Sequence, residues 1–194
     1  MKVGIFGGTF DPIHMGHLIL AEQAREVAAL DQVWFIPAAE PPHKLDKQIT
    51  AASHRVHMVH LAVRCHPCFH LSTMELEREG PSYTYDTLRV LRESHPGVEF
   101  YLLVGADMVK DLPNWYKIKE ILQFVQVIGL GRPGVEVETL PAEVKNSLHW
   151  IPDAIETNIS STEIRQRLRQ GKSVRYLVPD SVYQYMREHG LYGS

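Results

Sequence analysis

Cysteine is scarce in this chain of 194 residues, charge of either sign is nearly balanced, and no apolar run approaches the length of a membrane span. The two cysteines lie close together in Cys65-His66-Pro67-Cys68-Phe69-His70, a spacing that invites a zinc or redox reading. A structural zinc site needs a second ligand pair at matching spacing, and His70 alone does not supply one, so no metal is assigned to this run. A formal net charge of −3 leaves none of the basic excess that long nucleic acids require, and a nucleic-acid polymer is excluded as the expected partner. The opening Met1–Phe6 stops at two glycines and has neither the longer apolar region nor the small-residue cleavage site of a signal peptide. A cytoplasmic protein with no membrane partner is expected. Internal repeats and low-complexity linkers are missing as well.

With 44% apolar and 22% charged residues, the composition is that of an ordinary globular chain, and the length suits one α/β domain over 1–194 whose last part, about 160–194, is helical. Val3–Phe6 is a strand running into Gly7-Gly8, and Leu18, Ala21, Ala24 and Ala28 carry helical spacing after it, from about His14 to Ala29. Val33–Ile36 is a second strand, Ser53–Arg64 a helix, Phe69–Ser72 a third strand, and Thr84 opens a helix to about Ser94. Phe100–Val104 and Phe124–Leu130 are continuous apolar strands, 135–146 is irregular, and His149–Ile151 is a last short strand. A helix carrying Ile164 and Leu168 follows Ser160-Ser161-Thr162, and a final helix starts at Pro179-Asp180 and ends near His189-Gly190. Strands alternating with helices predict a Rossmann-like, doubly wound parallel sheet with a small C-terminal helical extension. Ligands of such sheets bind at the carboxyl ends of the strands, which singles out the loops after Phe6, Ile36, Val104 and Leu130.

The segment Gly7-Gly8-Thr9-Phe10-Asp11-Pro12-Ile13-His14-Met15-Gly16-His17 joins the first strand to the first helix. Glycines let the backbone approach a phosphate, and a helix N-terminus offers free N–H donors with partial positive charge. Neither the dinucleotide fingerprint Gly-x-Gly-x-x-Gly nor the Gly-x-x-x-x-Gly-Lys-Ser/Thr loop is present, so hydride transfer and P-loop hydrolysis lose ground. His14 and His17 share one face of the first helical turn, where both rings can donate to phosphate oxygens. His54, His57 and His60 also share a helical edge, but they read as a solvated face and receive no role.

Gly8-Thr9-Phe10-Asp11-Pro12-x-His14-x-Gly16-His17 and Ile159-Ser160-Ser161-Thr162-x-Ile164-Arg165 resemble the two signatures of the nucleotidylyltransferase superfamily. Pro41-Pro42-His43-Lys44, Gly80 to Thr87, and Gly105-Ala106-Asp107-Met108 with Trp115 are similar to its bacterial nicotinate-mononucleotide adenylyltransferase branch. The resemblance implies adenylyl transfer from ATP to nicotinate mononucleotide, with Mg²⁺ carried in on ATP and no covalent enzyme intermediate. It implies His14, His17, Lys44 and Arg165 as catalytic residues, with Gly7, Gly8, Thr9, Phe10, His17, Gly105, Asp107, Arg132, Ser161, Thr162 and Arg165 on ATP. For nicotinate mononucleotide it implies Lys44, Ser82, Thr84, Tyr85 and Trp115, with the Thr84 and Tyr85 backbone reading the acid and Trp115 stacking on the ring. A homodimer is compatible with it. Other acceptors, such as phosphopantetheine, would use the same reacting core, but an acyclic substrate does not obviously require Trp115 beside Ser82–Tyr85.

Overall fold

The computed structural model describes residues 1–39, 49–78, 80–130, 139–152, 154–155 and 157–193, with Ala106 and Asp107 described by backbone alone. Six strands form one sheet: β1 (Lys2–Gly8), β2 (Gln32–Pro37), β3 (Phe69–Leu71), β4 (Glu99–Gly105), β5 (Gln126–Leu130) and β6 (Leu148–Ile151). Their order is β3-β2-β1-β4-β5-β6 and every pairing is parallel. The expected doubly wound sheet is therefore the observed one, and its order reverses between β1 and β4.

Period-two alternation divides the strand residues between two cores. Val3 and Ile5 of β1 and Phe100, Leu102 and Val104 of β4 face one way, onto α3 (Thr84–Ser94), α5 (Ile118–Phe124) and α6 (Ala142–Ser147) through Leu88, Leu91, Ile121 and Val144. Phe6, Tyr101 and Leu103 face the other way, together with α1 (Met15–Val27), α2 (Ala52–Val63), α7 (Ser161–Arg169) and α8 (Asp180–Glu188). Both faces of β4 are covered, which is why it reads as an unbroken apolar run. Gly4 lies where a Cβ would stand 2.8 Å from Leu103 Cδ1 and from Leu30 Cδ1, so the helix-bearing face has no room for a side chain there. The C-terminal helices bury Ile164, Leu168, Val182 and Met186 in the same cluster as Phe6 and Phe35.

Three short elements depart from the sequence reading. Phe124 ends α5 and the strand begins at Gln126, because Ile118 and Ile121, three residues apart, face the core as a helix. Ala106–Val109 forms a one-turn helix, α4, directly after β4. In the stretch expected to be irregular, α6 occupies Ala142–Ser147 with Val144 as its buried anchor, and a single apolar residue carries no periodic signal. Among the described residues no helix is long and apolar enough to cross a membrane.

Shared packing makes a stability prediction. Met186 is fully buried, so Met186→Ala should lower the unfolding free energy by about 2–5 kcal/mol in a single cooperative denaturant transition. A separate early transition for the C-terminal helices would contradict one common core.

Candidate active site

The carboxyl ends of β1 and β4, where the strand order reverses, open into a cavity of about 480 Å³. Its floor is strand backbone, Gly7 and Gly8 on one side and Gly105 on the other. His14, Gly16 and His17 enter from the start of α1, and Ser161, Thr162 and Arg165 from the first turns of α7. Ser82, Thr84 and Trp115 line it from the side of α3.

The connection from β1 to α1 is held in place by groups far away in sequence. Arg55 of α2 is 2% exposed and spends its donors on four carbonyls: Nε on Thr50 at 2.9 Å, Nη1 on Thr9 at 2.9 Å and Ala38 at 2.7 Å, and Nη2 on Ala39 at 3.2 Å. Burial works against its charge and pulls its pKa below the usual arginine value, while Asp11 and Tyr192 favour the charged form. Asp11 is itself buried; its carboxylate accepts from the Tyr192 hydroxyl at 2.6 Å and from the Thr50 N–H at 3.4 Å. Burial beside that carboxylate pushes the Tyr192 phenol well above its ordinary value. Two carbonyls of the same loop face α7: Asp11 O accepts from Arg165 Nη1 at 2.7 Å and Pro12 O from Ser161 Oγ at 2.9 Å. Phe10 adopts the left-handed region with φ of 48°, a conformation unfavourable for an aromatic residue, and its ring is buried against Phe6 and Phe35. Every turn of this loop thus has a partner that specifies it.

His14 and His17 stack with ring centroids 3.6 Å apart. The His14 N–H donates to Nδ1 of His17 at 3.2 Å, which caps α1 and leaves Nε2–H as the donor of the neutral His17 ring. His14 is 6% exposed, its Nδ1 is buried with no partner among the described residues, and burial lowers its pKa to about 4. A phosphate brought into the cavity beside His14 would favour the protonated form of its ring. Gly16 permits the approach: a Cβ there would meet Thr157 Oγ1 at 2.7 Å and His14 Nδ1 at 3.0 Å. Ser160 caps α7 by accepting from the Glu163 N–H at 3.1 Å, so the free N–H groups and positive dipole end of that helix face the same space.

On the other side, Thr84 and Tyr85 are the first two residues of α3, whose N–H groups have no acceptor within the helix. Trp115 presents its indole to the cavity, and Nε1 is the second buried polar atom without a partner among the described residues. Glu75 is 7% exposed and accepts from Thr87 Oγ1 at 2.6 Å. Burial pushes its carboxyl above the usual range against the pull of Thr87, Ser82 and Arg78.

Most residues singled out in the sequence converge here: Gly7, Gly8, His14, His17, Ser82, Thr84, Gly105, Trp115, Ser161, Thr162 and Arg165 share one cavity. Thr9 and Phe10 do not line it; the first receives Arg55 and the second packs in the core. The Tyr85 ring turns away onto Phe124 with Lys117 Nζ 4.2 Å from its centroid, so only its backbone remains for an acceptor. Lys44 and Arg132 lie outside the described residues, as does the side chain of Asp107. Sequence reasoning missed Arg55, Tyr192 and Glu75. Arg55 had a signal, for it stands three and four residues before Met58 and Val59 on the apolar stripe of α2, where a charge must have buried partners. His57 and His60 are exposed as expected of a solvated edge, but His54 Nδ1 lies 2.8 Å from the Tyr185 hydroxyl and docks α2 on α8. Cys65 and Cys68 are free thiols.

The chain is similar to known proteins over its whole length. The cytidylyltransferase-like family model matches residues 5–167. The chain is 49% identical over 193 residues to a probable nicotinate-nucleotide adenylyltransferase of Geobacillus thermodenitrificans (strain NG80-2), covering 100% of this chain and 87% of that one. It is 46% identical to the nicotinate-nucleotide adenylyltransferase of Bacillus subtilis (strain 168), covering 100% and 99%. In fold it matches the nicotinic acid mononucleotide adenylyltransferase of Plasmodium falciparum complexed with NaAD, with a TM-score of 0.81 at 21% identity over 98% of this chain and 97% of that one.

The buried His14 makes folding stability depend on pH. Its folded pKa, about 4, lies below the unfolded 6.5, so the unfolded chain binds the extra proton; stability is full above pH 6.5 and falls as pH drops toward 4, by up to about 3 kcal/mol. His14→Gln should flatten that slope in urea titrations between pH 7 and 4, and an unchanged slope would mean His14 is not the group responsible.

Proposed function

Taking as premise that the chain belongs to the cytidylyltransferase-like family and, within it, to the nicotinate-nucleotide adenylyltransferases, we propose that it transfers the adenylyl group of ATP to nicotinate mononucleotide. The products are pyrophosphate and the deamido form of NAD. The observation that carries this reading is the convergence of two anion-binding helix starts, α1 and α7, with an aromatic face and a third helix start, α3, around one cavity.

In this reading the 5′-phosphate of the acceptor attacks the α-phosphorus of ATP directly and pyrophosphate leaves, so the protein supplies no nucleophile. Its work is to hold two anionic substrates in line and to meet charge that grows on phosphoryl oxygens. His17, through Nε2–H, and Arg165 with the N-terminus of α7 are donors for the triphosphate. His14 is neutral in the free protein and gains a proton as the triphosphate arrives. Arg165 keeps one amine of its fork on Asp11 O at 2.7 Å, which fixes the direction of the rest. Lys44 and Arg132 add cationic donors, and Asp107 a contact to the ATP ribose or adenine edge, on the strength of the sequence motifs. Thr9 and Phe10 shape the ATP loop without touching the cavity.

Mg²⁺ fits as part of the substrate. Among the described residues Glu75 is the carboxylate that lines the cavity, and its Oε1 is engaged by the Thr87 hydroxyl, so the ion would be held by phosphate oxygens and water. When bound it neutralises part of the triphosphate charge. For the acceptor, Trp115 offers a stacking face for the ring, and the N–H groups of Thr84 and Tyr85 receive its carboxylate. A cytoplasmic location goes with this activity, and a homodimer would leave the arrangement intact.

The deciding experiment measures pyrophosphate release from Mg-ATP with nicotinate mononucleotide, nicotinamide mononucleotide and phosphopantetheine in parallel. Release should be fastest with the nicotinate compound and lower by at least about tenfold, equivalent to about 1.4 kcal/mol, with the neutral amide. Preference for phosphopantetheine would overturn the acceptor assignment.

A further inference from the structure

Glu75 lies in the turn after β3, in the stretch between β3 and α3, and none of the substrate roles above uses it. It is a buried carboxyl, and its two partners sit on either side of the start of α3. Thr87, in the first turn of that helix, donates its hydroxyl proton to Oε1 at 2.6 Å and accepts from Arg78 Nη2 at 2.8 Å. Ser82, two residues before Thr84, pulls the pKa of the same carboxyl down against burial, and its Oγ accepts from the Ala39 N–H at 3.1 Å. The Thr87 hydroxyl also lies 3.4 Å from the Tyr83 carbonyl, but the shorter contact to Oε1 makes Glu75 its principal acceptor. The carboxyl is the common acceptor that closes the network.

We propose that Glu75 is a positioning residue for the acceptor: by gripping Ser82 and Thr87 it sets the angle at which the free N–H groups of Thr84 and Tyr85 face the cavity, and so it determines selection of an acid over a neutral amide. The inference rests on the acceptor reading given under Proposed function. Two features support it. Ser82 and Ala39 connect the grip to Arg55, whose Nη2 holds the Ala39 carbonyl at 3.2 Å, so the start of α3 is referenced to the loop that receives ATP. Arg78 Nη2, bonded to Thr87 Oγ1 at 2.8 Å, places a positive charge beside the same network.

The test compares wild type, Glu75→Ala, Glu75→Gln and Thr87→Val, each with nicotinate and with nicotinamide mononucleotide, reading kcat and KM for acceptor and ATP. Glu75→Ala should raise KM for the nicotinate compound at least tenfold, keep KM for ATP within twofold, and reduce the acid-to-amide ratio of kcat/KM by about the same factor. Glu75→Gln, which keeps one accepting oxygen, and Thr87→Val, which removes one hydroxyl of the grip, should fall between. If Glu75→Ala fails to fold, these two variants carry the test through the same ratio. A purely structural role would lower both acceptors alike, so an unchanged ratio in a folded variant overturns the proposal. Wild type without preference for the acid overturns the acceptor reading itself, and with it this one.

Discussion

A buried guanidinium organises this site. Arg55 stands inside the protein without a direct carboxylate partner among the described residues, and what compensates its burial there is a set of four carbonyl oxygens, from Thr9, Ala38, Ala39 and Thr50. Those carbonyls belong to the loop after β1 and to the chain that follows β2 and precedes α2. A planar fork of fixed geometry accepts few arrangements of partners, so satisfying Arg55 fixes these segments relative to each other. Asp11, close enough to stabilise its charge, is tied in turn to Tyr192 near the other end of the chain. The removal of either partner would leave an uncompensated polar group in the core, which costs far more than one surface hydrogen bond.

From that constraint the shape of the cavity follows. With Thr9–Pro12 held from behind by Arg55, Tyr192 and Thr50 and from the side by Ser161 and Arg165, Gly7 and Gly8 are presented to the cavity and α1 begins at a defined point. His17 can then cap that helix through Nδ1 and keep Nε2–H as a donor. The start of α7 is bound to the same loop, which places two helix N-termini on one cavity without help from a ligand. On the function proposed above, preorganised donors of this kind would need no reorganisation as charge develops on the phosphates.

The sheet was legible because its strands are buried on both faces and announce themselves as apolar runs ended by glycine or proline: Val3–Phe6, Val33–Ile36 and Phe100–Val104 each fall inside an observed strand. α4, α5 and α6 were not, since four to seven residues leave little room for a periodic pattern. Among candidate site residues, those that line the cavity could be found by motif. Those that hold the motif in place could not: Glu75 lies in a turn with no repeating pattern, and Tyr192 reaches Asp11 across 181 residues. Such partners are set by tertiary contact, which local spacing does not encode. Arg55 is the intermediate case, a charge on an apolar stripe, visible as an anomaly but without its carbonyl partners.

On the function proposed above, the loop is already shaped for a triphosphate before one binds. A crystal structure with Mg²⁺ and a non-hydrolysable ATP analogue tests it most directly. Triphosphate density is expected between His17, Gly8 and the N-terminus of α7, with Thr9–Pro12 superposing on the unliganded backbone and Arg55 on its four carbonyls. Triphosphate seated away from His17 and Arg165, or a loop that refolds around it and releases Arg55, would contradict it.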